Sequence, residues 1–476
     1  MDRRLGDRKT RTTLPRSSGF RILPGEGPFV GREDELGRLS AALNLAARGQ
    51  GHTVFVTGQP GIGKTRLARE SLALAGARGF TVLKGHAYPL EAGLTYAPII
   101  DALGPLLRSY DPFRLEILVS GLPSLGRIFE GLQLPAPSNF EGLNDPALEK
   151  MRLFEAVSCL LQRLSQEAPV AFLADDLHRT DPASLDLLHY IARGLSGQRI
   201  LLLATYGSDA LDTSRGLLGS VVSLKRDGLA DEIVVPRLRP DAVCELARGI
   251  IGGDPPTGLL TLLDARASGT PLFIETLVTG LIDSGNLTRA GDGWVLDGKG
   301  ANSLPPSVRQ LIVERLDRLA RAERRVFDLI AVMGDATSHD VLLEASGMEE
   351  ETLLDALRRL QAAGLVVEGM DGLNVVYTIT HPLIQEVAYA EQPEMIRRRA
   401  HVAVIEALES FSDGRPDDVN RLARHYRGAG AEAKGDRAVA ALFAAGERAL
   451  TLCANEEAAR HYTAALAMVR EGRHCR

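Results

Sequence analysis

The sequence has few of the residues on which disulfide-rich, zinc-binding and membrane-spanning proteins depend. Its four cysteines, Cys159, Cys244, Cys453 and Cys475, lie far apart and form no C-x-x-C pair. This spacing argues against a zinc site and a disulfide framework, and it indicates a reducing compartment. No apolar run approaches the ~18 residues of a membrane-spanning helix, and the first residues have no apolar signal segment. We therefore expect a cytoplasmic protein without a membrane partner.

Aromatic residues and excess charge are also scarce. Phe, Trp and Tyr make up 5% of the chain, and the formal net charge is −6 over 476 residues. A slightly acidic chain is a poor general binder of nucleic acid, because phosphates attract Lys and Arg. The hydrophobic content of 45% is ordinary for a globular protein. The length predicts roughly two to four domains.

One stretch carries a specific chemical signature. The apolar residues 54–56 precede a glycine-rich turn at residues 58–65, which fits G-x-x-x-x-G-K-[ST], and a helical pattern follows. Glycines in this turn let successive backbone N–H groups surround a phosphate at the positive end of the helix. In this pattern Lys64 reaches the β and γ phosphates, and Thr65 offers a hydroxyl to Mg²⁺. We therefore predict a site for ATP or GTP that is formed by Gly58, Gln59, Pro60, Gly61, Ile62, Gly63, Lys64, Thr65 and Arg66.

A second apolar run ends in two acids. Residues 170–174 are followed by Asp175 and Asp176, which predicts a buried strand with carboxylates at its end. Ligands of open α/β sheets lie at the carboxyl ends of the strands, so these acids should face the phosphate site. We assign Asp175 to the Mg²⁺ shell with Thr65. We assign Asp176 to orienting or deprotonating the attacking water, with Lys64 as the second catalytic residue.

The order of elements predicts the fold class. Strands that alternate with helices indicate an α/β protein with the doubly wound parallel sheet of a P-loop NTPase. Helices come next, then helices followed by a hairpin, which fits a winged helix, and finally Ala-rich helices that resemble the start of a solenoid. The predicted units are a disordered basic tail (1–26), a nucleotide-binding domain (27–238), a helical lid (239–303), a winged helix (304–392) and a tetratricopeptide-like helical arm (393–476).

Further motifs have the order found in a known family. Residues 29–33 read Phe-Val-Gly-Arg-Glu, Asp-Asp-Leu-His ends the buried strand, Gly-Thr-Pro ends at Pro271, and Thr-His-Pro surrounds His381. With the P-loop, these motifs resemble the STAND-type signalling ATPases, which have an origin-recognition-like AAA domain. That family includes large ATP-dependent LuxR-type regulators and cyclase-linked AAA ATPases. The resemblance extends over about residues 27–470.

The resemblance implies roles that spacing alone leaves open. It implies that Val30, Gly31 and Arg32 lie near the adenine, that Pro271 lies over the nucleotide, and that His381 senses the β phosphate of ADP. It also implies a slow ATPase that uses ATP/ADP and Mg²⁺ as a switch, closed with ADP and open with ATP. A protein partner on the helical arm and self-association in the ATP state are the expected interactions.

Two alternatives stay open, and a departure from the family's pattern motivates the first. Gly207 follows Tyr206, where the family usually has an arginine near the γ phosphate. A degenerate nucleotide-binding scaffold is therefore one alternative. The other is a DNA-binding transcription regulator that uses the winged helix or the basic tail. The helix that would face DNA begins with glutamates at 349–351, which repel phosphates and argue against direct DNA binding.

Overall fold

The computed structural model describes most of the chain. Its described residues are 27–87, 95–129, 146–208, 214–290, 293–297, 308–334, 336–371, 374–411, 416–433 and 435–474. The basic tail that we predicted at residues 1–26 lies outside them. Within these ranges, every helix is too short or too polar to cross a membrane.

The first unit is built on a five-stranded parallel sheet with the order β2-β3-β4-β1-β5. The two central strands β3 and β4 are buried along their whole length, because helices cover both faces of the sheet. The predicted doubly wound parallel sheet is therefore confirmed. The strands are β1 (His52–Gly58), β2 (Thr81–His86), β3 (Val170–Asp175), β4 (Ile200–Gly207) and β5 (Ala230–Val234).

Two separate cores flank this sheet, since successive strand residues point to opposite faces. Val54 and Val56 of β1 pack with the first two helices, whereas Phe55 packs with the helices on the other face. The helices of this unit are α1 (Glu33–Ala47), α2 (Lys64–Ala77), α3 (Ala97–Ser109), α4 (Pro112–Val119), α5 (Pro146–Glu167), α6 (Pro182–Arg193) and α7 (Arg215–Arg226).

Two smaller units follow the sheet. We call residues 240–297 the lid, which consists of three helices and a hairpin. We call residues 308–391 the wing module, whose three-stranded antiparallel sheet has the order β8-β10-β9. The lid contains α8 (Pro240–Ile251), α9 (Thr257–Ala267), α10 (Pro271–Asp283), β6 (Leu287–Ala290) and β7 (Gly293–Leu296). The wing module contains α11 (Val308–Asp317), α12 (Arg321–Met333), β8 (Thr337–Ser338), α13 (His339–Ser346), α14 (Glu350–Ala362), β9 (Val366–Asp371), β10 (Asn374–Ile379) and α15 (Pro382–Glu391).

The helical arm ends the described chain and folds back onto the first unit. The corner between its last two helices contributes Ala449, Leu452, Ala454 and Ala458 to a core that also holds Phe55 of β1. The arm is therefore attached to the face of the sheet opposite α1 and α2. Its helices are α16 (Glu394–Phe411), α17 (Pro416–Ala429), α18 (Gly435–Thr451) and α19 (Asn455–His474).

A carboxyl group is buried where the arm meets the sheet. Glu457 on α19 is 1% exposed, and Arg460 donates a hydrogen bond to one of its oxygens. Burial raises the pKa of Glu457 from its usual 4.5 to about 7, and the negative charge of Asp181 adds to the rise. A carboxyl with a higher pKa in the folded protein binds its proton more tightly there. Stability is therefore lost as pH rises from about 4.5 to about 7.

We expect Glu457→Gln to remove this pH dependence. At pH 8 the variant should be more stable than the parent protein, by at most about 3 kcal/mol, because an uncharged amide replaces a buried carboxylate. At pH 4.5 the two proteins should be nearly equal. Urea unfolding at both pH values measures the difference, and Glu456→Gln, at an exposed neighbouring position, serves as the control. An equal effect of the two substitutions would contradict the prediction.

Candidate functional site

The glycine-rich turn has the backbone geometry that its sequence requires. Gly61 and Gly63 have φ values of +74° and +100°, a region that side chains disfavour. Helix α2 begins directly after the turn, at Lys64. The Lys64 ammonium is 8% exposed and donates hydrogen bonds to the carbonyl oxygens of Gly58, at 3.0 Å, and Gln59, at 3.2 Å. The turn, the helix N-terminus and the cation fit a bound phosphate chain.

A hydroxyl and a carboxylate meet beside this turn. Thr65 donates its Oγ1 hydrogen to Asp175 Oδ1 at 3.1 Å, and Thr205 on β4 donates to the same oxygen. Asp175 is 3% exposed, so the two hydroxyls satisfy a buried charge. Oxygen donors of these two kinds are the ligands that Mg²⁺ prefers. The pair that we predicted for Mg²⁺, Thr65 and Asp175, is therefore chemically suited to that ion.

Asp176 lies at the next position and has a different environment. Its backbone is left-handed, with a φ of +58°, and its amide donates a hydrogen bond to Thr205 Oγ1 at 2.9 Å. Strand β3 ends at Asp175, so Asp176 lies in the turn that follows the strand. Burial and the negative charge of Asp175 raise the pKa of Asp176 to about 6, against the opposing positive charges of Arg179 and Lys64.

Residues 29–33, which we call the opening motif, and the lid both contact the glycine-rich turn. Arg32, which is 4% exposed, donates to the Ile62 carbonyl oxygen at 3.2 Å. Pro271 is the first residue of α10, and the next amide, that of Leu272, donates to the Gly61 carbonyl oxygen at 3.2 Å. The predicted lid proline thus lies one residue from a direct backbone contact with the P-loop.

His381 is the residue of the wing module that lies within electrostatic range of the P-loop lysine. This residue caps α15, and its Nδ1 accepts a hydrogen bond from the Leu383 amide at 3.1 Å. Burial, together with the positive charges of Lys64, Arg179 and Arg69, lowers the pKa of His381 to about 4. The imidazole is therefore neutral at pH 7 and lies within electrostatic reach of the P-loop lysine.

The other predicted residues contact their own helix, the lid or nearby side chains. Arg66 forms an ion pair with Glu70 on its own helix, at 2.8 Å. Val30 packs in the core of the lid, and a methyl group added to Gly31 would approach the Ala242 side chain to 2.5 Å. The opening motif is therefore wedged between the P-loop and the lid. The Gln59 side chain accepts a hydrogen bond from Arg237, and Pro60 is exposed. Their contact with a nucleotide stays a prediction.

Sequence reasoning missed three polar groups of this site. Thr205, Arg179 and Glu386 link Asp175, Asp176 and the wing module through hydrogen bonds and an ion pair. Arg179 and Thr205 lie in or beside motifs that the sequence singles out, so proximity to those motifs was an available signal. Glu386 is on a helix of another unit, and nothing in its local sequence indicates this contact.

Comparisons with known proteins agree with this architecture. A family model described as AAA ATPase domain matches residues 28–203. An uncharacterized protein of Rhizobium meliloti (strain 1021) is 25% identical over 400 residues, which cover 79% of this chain and 37% of that protein. The chain thus spans well under half the length of this relative.

A solved structure resembles the chain beyond its first domain. It is the crystal structure of a STAND protein with a tetratricopeptide repeat sensor from Pyrococcus horikoshii. It matches with a TM-score of 0.53 and 16% identity, over 94% of this chain and 55% of that chain. At this identity the likeness concerns the fold alone. The predicted resemblance and the predicted fold class are both confirmed at this level.

The connection between the sheet and the lid, at Leu238 and Gly269, allows a direct test of how strongly the backbone is constrained there. Gly269 has a φ of +74°, and a methyl group there would lie 2.5 Å from the Leu238 carbonyl oxygen. We expect Gly269→Ala to destabilise the lid by about 1–3 kcal/mol, because the backbone is strained and must move. The fluorescence of Trp294, which packs on the lid core and is the chain's single tryptophan, reports lid unfolding in urea.

The matched control is Gly280→Ala, within helix α10. A methyl group at Gly280 would have no described heavy atom within 4 Å. This control should stabilise the lid by up to about 1 kcal/mol, since alanine favours helix. Equal unfolding midpoints for the two variants would show that the joint is not constrained.

Proposed function

Since residues 28–203 are an AAA ATPase domain, we propose that the chain is a nucleotide-dependent signalling switch. The domain binds ATP or ADP with Mg²⁺ and hydrolyses ATP slowly. The bound nucleotide controls whether the lid, the wing module and the arm stay closed on the sheet. The open state then binds a protein partner or a second copy of the chain.

One observation carries this proposal: the lid and the wing module both have residues close to the P-loop. The lid contacts it through Leu272 and Gly61, and the wing module places His381 within reach of the Lys64 charge. A nucleotide at the P-loop therefore acts directly on both the lid and the wing module. Its differential affinity for the closed and open arrangements then sets their populations.

Each side chain of the site has one assigned role in binding and hydrolysing ATP. Lys64 and the N–H groups of the turn bind the phosphates, and Thr65 with Asp175 holds the metal ion. The bound Mg²⁺ neutralises charge on the phosphates. Asp176 orients the attacking water and accepts its proton, which requires its ionised form. Gly207 offers no cation at the end of β4, which is consistent with slow turnover.

The last two helices of the arm expose apolar side chains. Phe443, Leu450 and Leu466 are between 48% and 59% exposed there. A partner that covers such side chains removes apolar surface from water, which is favourable. This supports partner binding through the arm.

The two alternatives have less support. A direct DNA-binding regulator would use α14, whose first turn holds Glu350 and Glu351. Acidic residues there oppose binding to phosphates. A degenerate scaffold is favoured by Gly207 alone, and Mg²⁺-dependent turnover that Asp176→Asn abolishes would reject it.

The first experiment is to denature freshly purified protein and identify the nucleotide that it releases. One equivalent of ADP supports a closed switch, because a clamp on both sides of the phosphates slows release. Protein that releases no nucleotide and exchanges ATP freely would contradict the clamp, and a simple ATPase or a scaffold would then be the better description.

Lys64→Ala should abolish nucleotide binding, with affinity reduced by about 100-fold or more, because it removes the buried cation at the phosphates. Calorimetric titration with ADP and Mg²⁺ measures this loss. Lys84→Ala, which removes an exposed lysine of the next strand, is the control and should bind normally. Unchanged affinity in the Lys64 variant would mean that the site is elsewhere.

Asp176→Asn should keep ATP binding and lower kcat by about 100-fold, since an amide cannot accept the proton of water. In the parent protein, kcat/KM should fall as pH drops below about 6, because the carboxyl becomes protonated there. Phosphate release at pH 5 to 8 tests both statements. Undiminished hydrolysis by the variant, or a flat profile down to pH 5, would remove Asp176 from this role.

A further inference from the structure

One ion pair joins the phosphate edge of the sheet to the wing module. Arg179 ends the short 3-10 turn Leu177–Arg179 that follows β3, and its Nη2 donates to Glu386 Oε1 on α15. The side chains are 17% and 42% exposed, so the pair is partly shielded from water. Glu386 follows His381 by five residues on the same segment. The pair therefore connects the two units at the same place where His381 approaches the P-loop.

The Arg179 guanidinium has more donors than its partners use. Its Nε donates to His178 Nε2 at 3.0 Å, while its Nη1 is buried and has no acceptor among the described residues. A buried donor without an acceptor is costly, and it marks a place where an anion would be stabilised.

Hydrogen bonds of the turn after β3 place Arg179 near the P-loop. The Arg179 amide donates to the Asp176 carbonyl oxygen at 2.9 Å, and the preceding Asp175 accepts a hydrogen bond from Thr65 of the P-loop helix at 3.1 Å. The positive charges of Arg179 and Lys64 both oppose the rise in the pKa of Asp176. Arg179 therefore borders the phosphate site from the end of β3, which β4 separates from β1.

Strand β4 leaves room for such a cation. It ends at Gly207, which lies directly beside Gly58 in the parallel register and has no side chain. Strand β3 is the other neighbour of β4, and the turn after it carries Arg179. At the edge of the sheet that carries the P-loop, β4 thus ends in glycine, and the turn after β3 carries an arginine.

We propose that Arg179 is a phosphate-binding residue that Glu386 holds in this structure, so that a nucleoside triphosphate and the wing module compete for one guanidinium. Arginine binds phosphate and carboxylate through the same planar pair of N–H groups, so it cannot serve both fully. A diphosphate reaches less far and leaves the Glu386 pair in place. This inference rests on the proposed function, and it names the side chain that distinguishes ATP from ADP.

The test measures the affinities for a non-hydrolysable ATP analogue and for ADP, both with Mg²⁺, and compares their ratio between variants. Glu386→Gln frees Arg179 and should shift the ratio toward the triphosphate by about tenfold. Arg179→Gln should shift it toward ADP by a similar factor. The control is Glu391→Gln, which breaks an ion pair with Arg309 inside the wing module and should leave the ratio unchanged.

A charge swap separates phosphate binding from a merely structural latch. Arg179→Glu combined with Glu386→Arg restores an ion pair between the units but removes the cation from the sheet edge. If Arg179 binds phosphate, the swap should resemble Arg179→Gln in its ratio. A swap with the parent ratio would overturn the inference and leave a latch.

Different results would contradict the proposed function and the proposed role of Arg179. If the parent protein binds neither nucleotide, or binds them without Lys64, the proposed function itself is wrong. If binding depends on Lys64 but the ratio is unchanged in Arg179→Gln, only the role of Arg179 is wrong.

Discussion

The buried positive charge of Lys64 is the constraint on which the rest of the site depends. An ammonium that is 8% exposed needs oxygen partners, and the carbonyls of Gly58 and Gln59 supply them. The same charge opposes the burial that raises the pKa of Asp176, and it adds to the burial that lowers the pKa of His381. One cation thus contributes to the pKa of a carboxyl and of an imidazole on two different units.

The short segment after β3 joins three parts of the molecule. Asp176 lies at the phosphate site, beside Asp175 and near Lys64. Arg179 pairs with Glu386 of the wing module. The negative charge of Asp181 helps to raise the pKa of Glu457 on the arm. These three side chains lie within six residues of one another in sequence. This one segment therefore carries charged groups near the P-loop, the wing module and the arm.

Backbone hydrogen bonds attach the lid to the P-loop unit. The Leu272 amide donates to the Gly61 carbonyl oxygen, and the Leu238 amide donates to the Gly269 carbonyl oxygen at 2.8 Å. The ion pair of Arg179 with Glu386 joins the wing module to the same unit. In the switch that we propose, the wing module would respond to the nucleotide charge, and the lid would respond to the shape of the P-loop.

The sequence by itself determined the parallel sheet, the P-loop turn and the acidic end of β3, because each depends on residues that are close in the chain. The spacing of glycines around Lys64 and the apolar run before Asp175 are local signals, and the AAA ATPase domain was predictable from them. Only the tertiary structure decided that Glu386 meets Arg179 and that the arm corner packs on the sheet. Those contacts join residues that are more than two hundred positions apart, and their energy comes from packing and charge that no local pattern records.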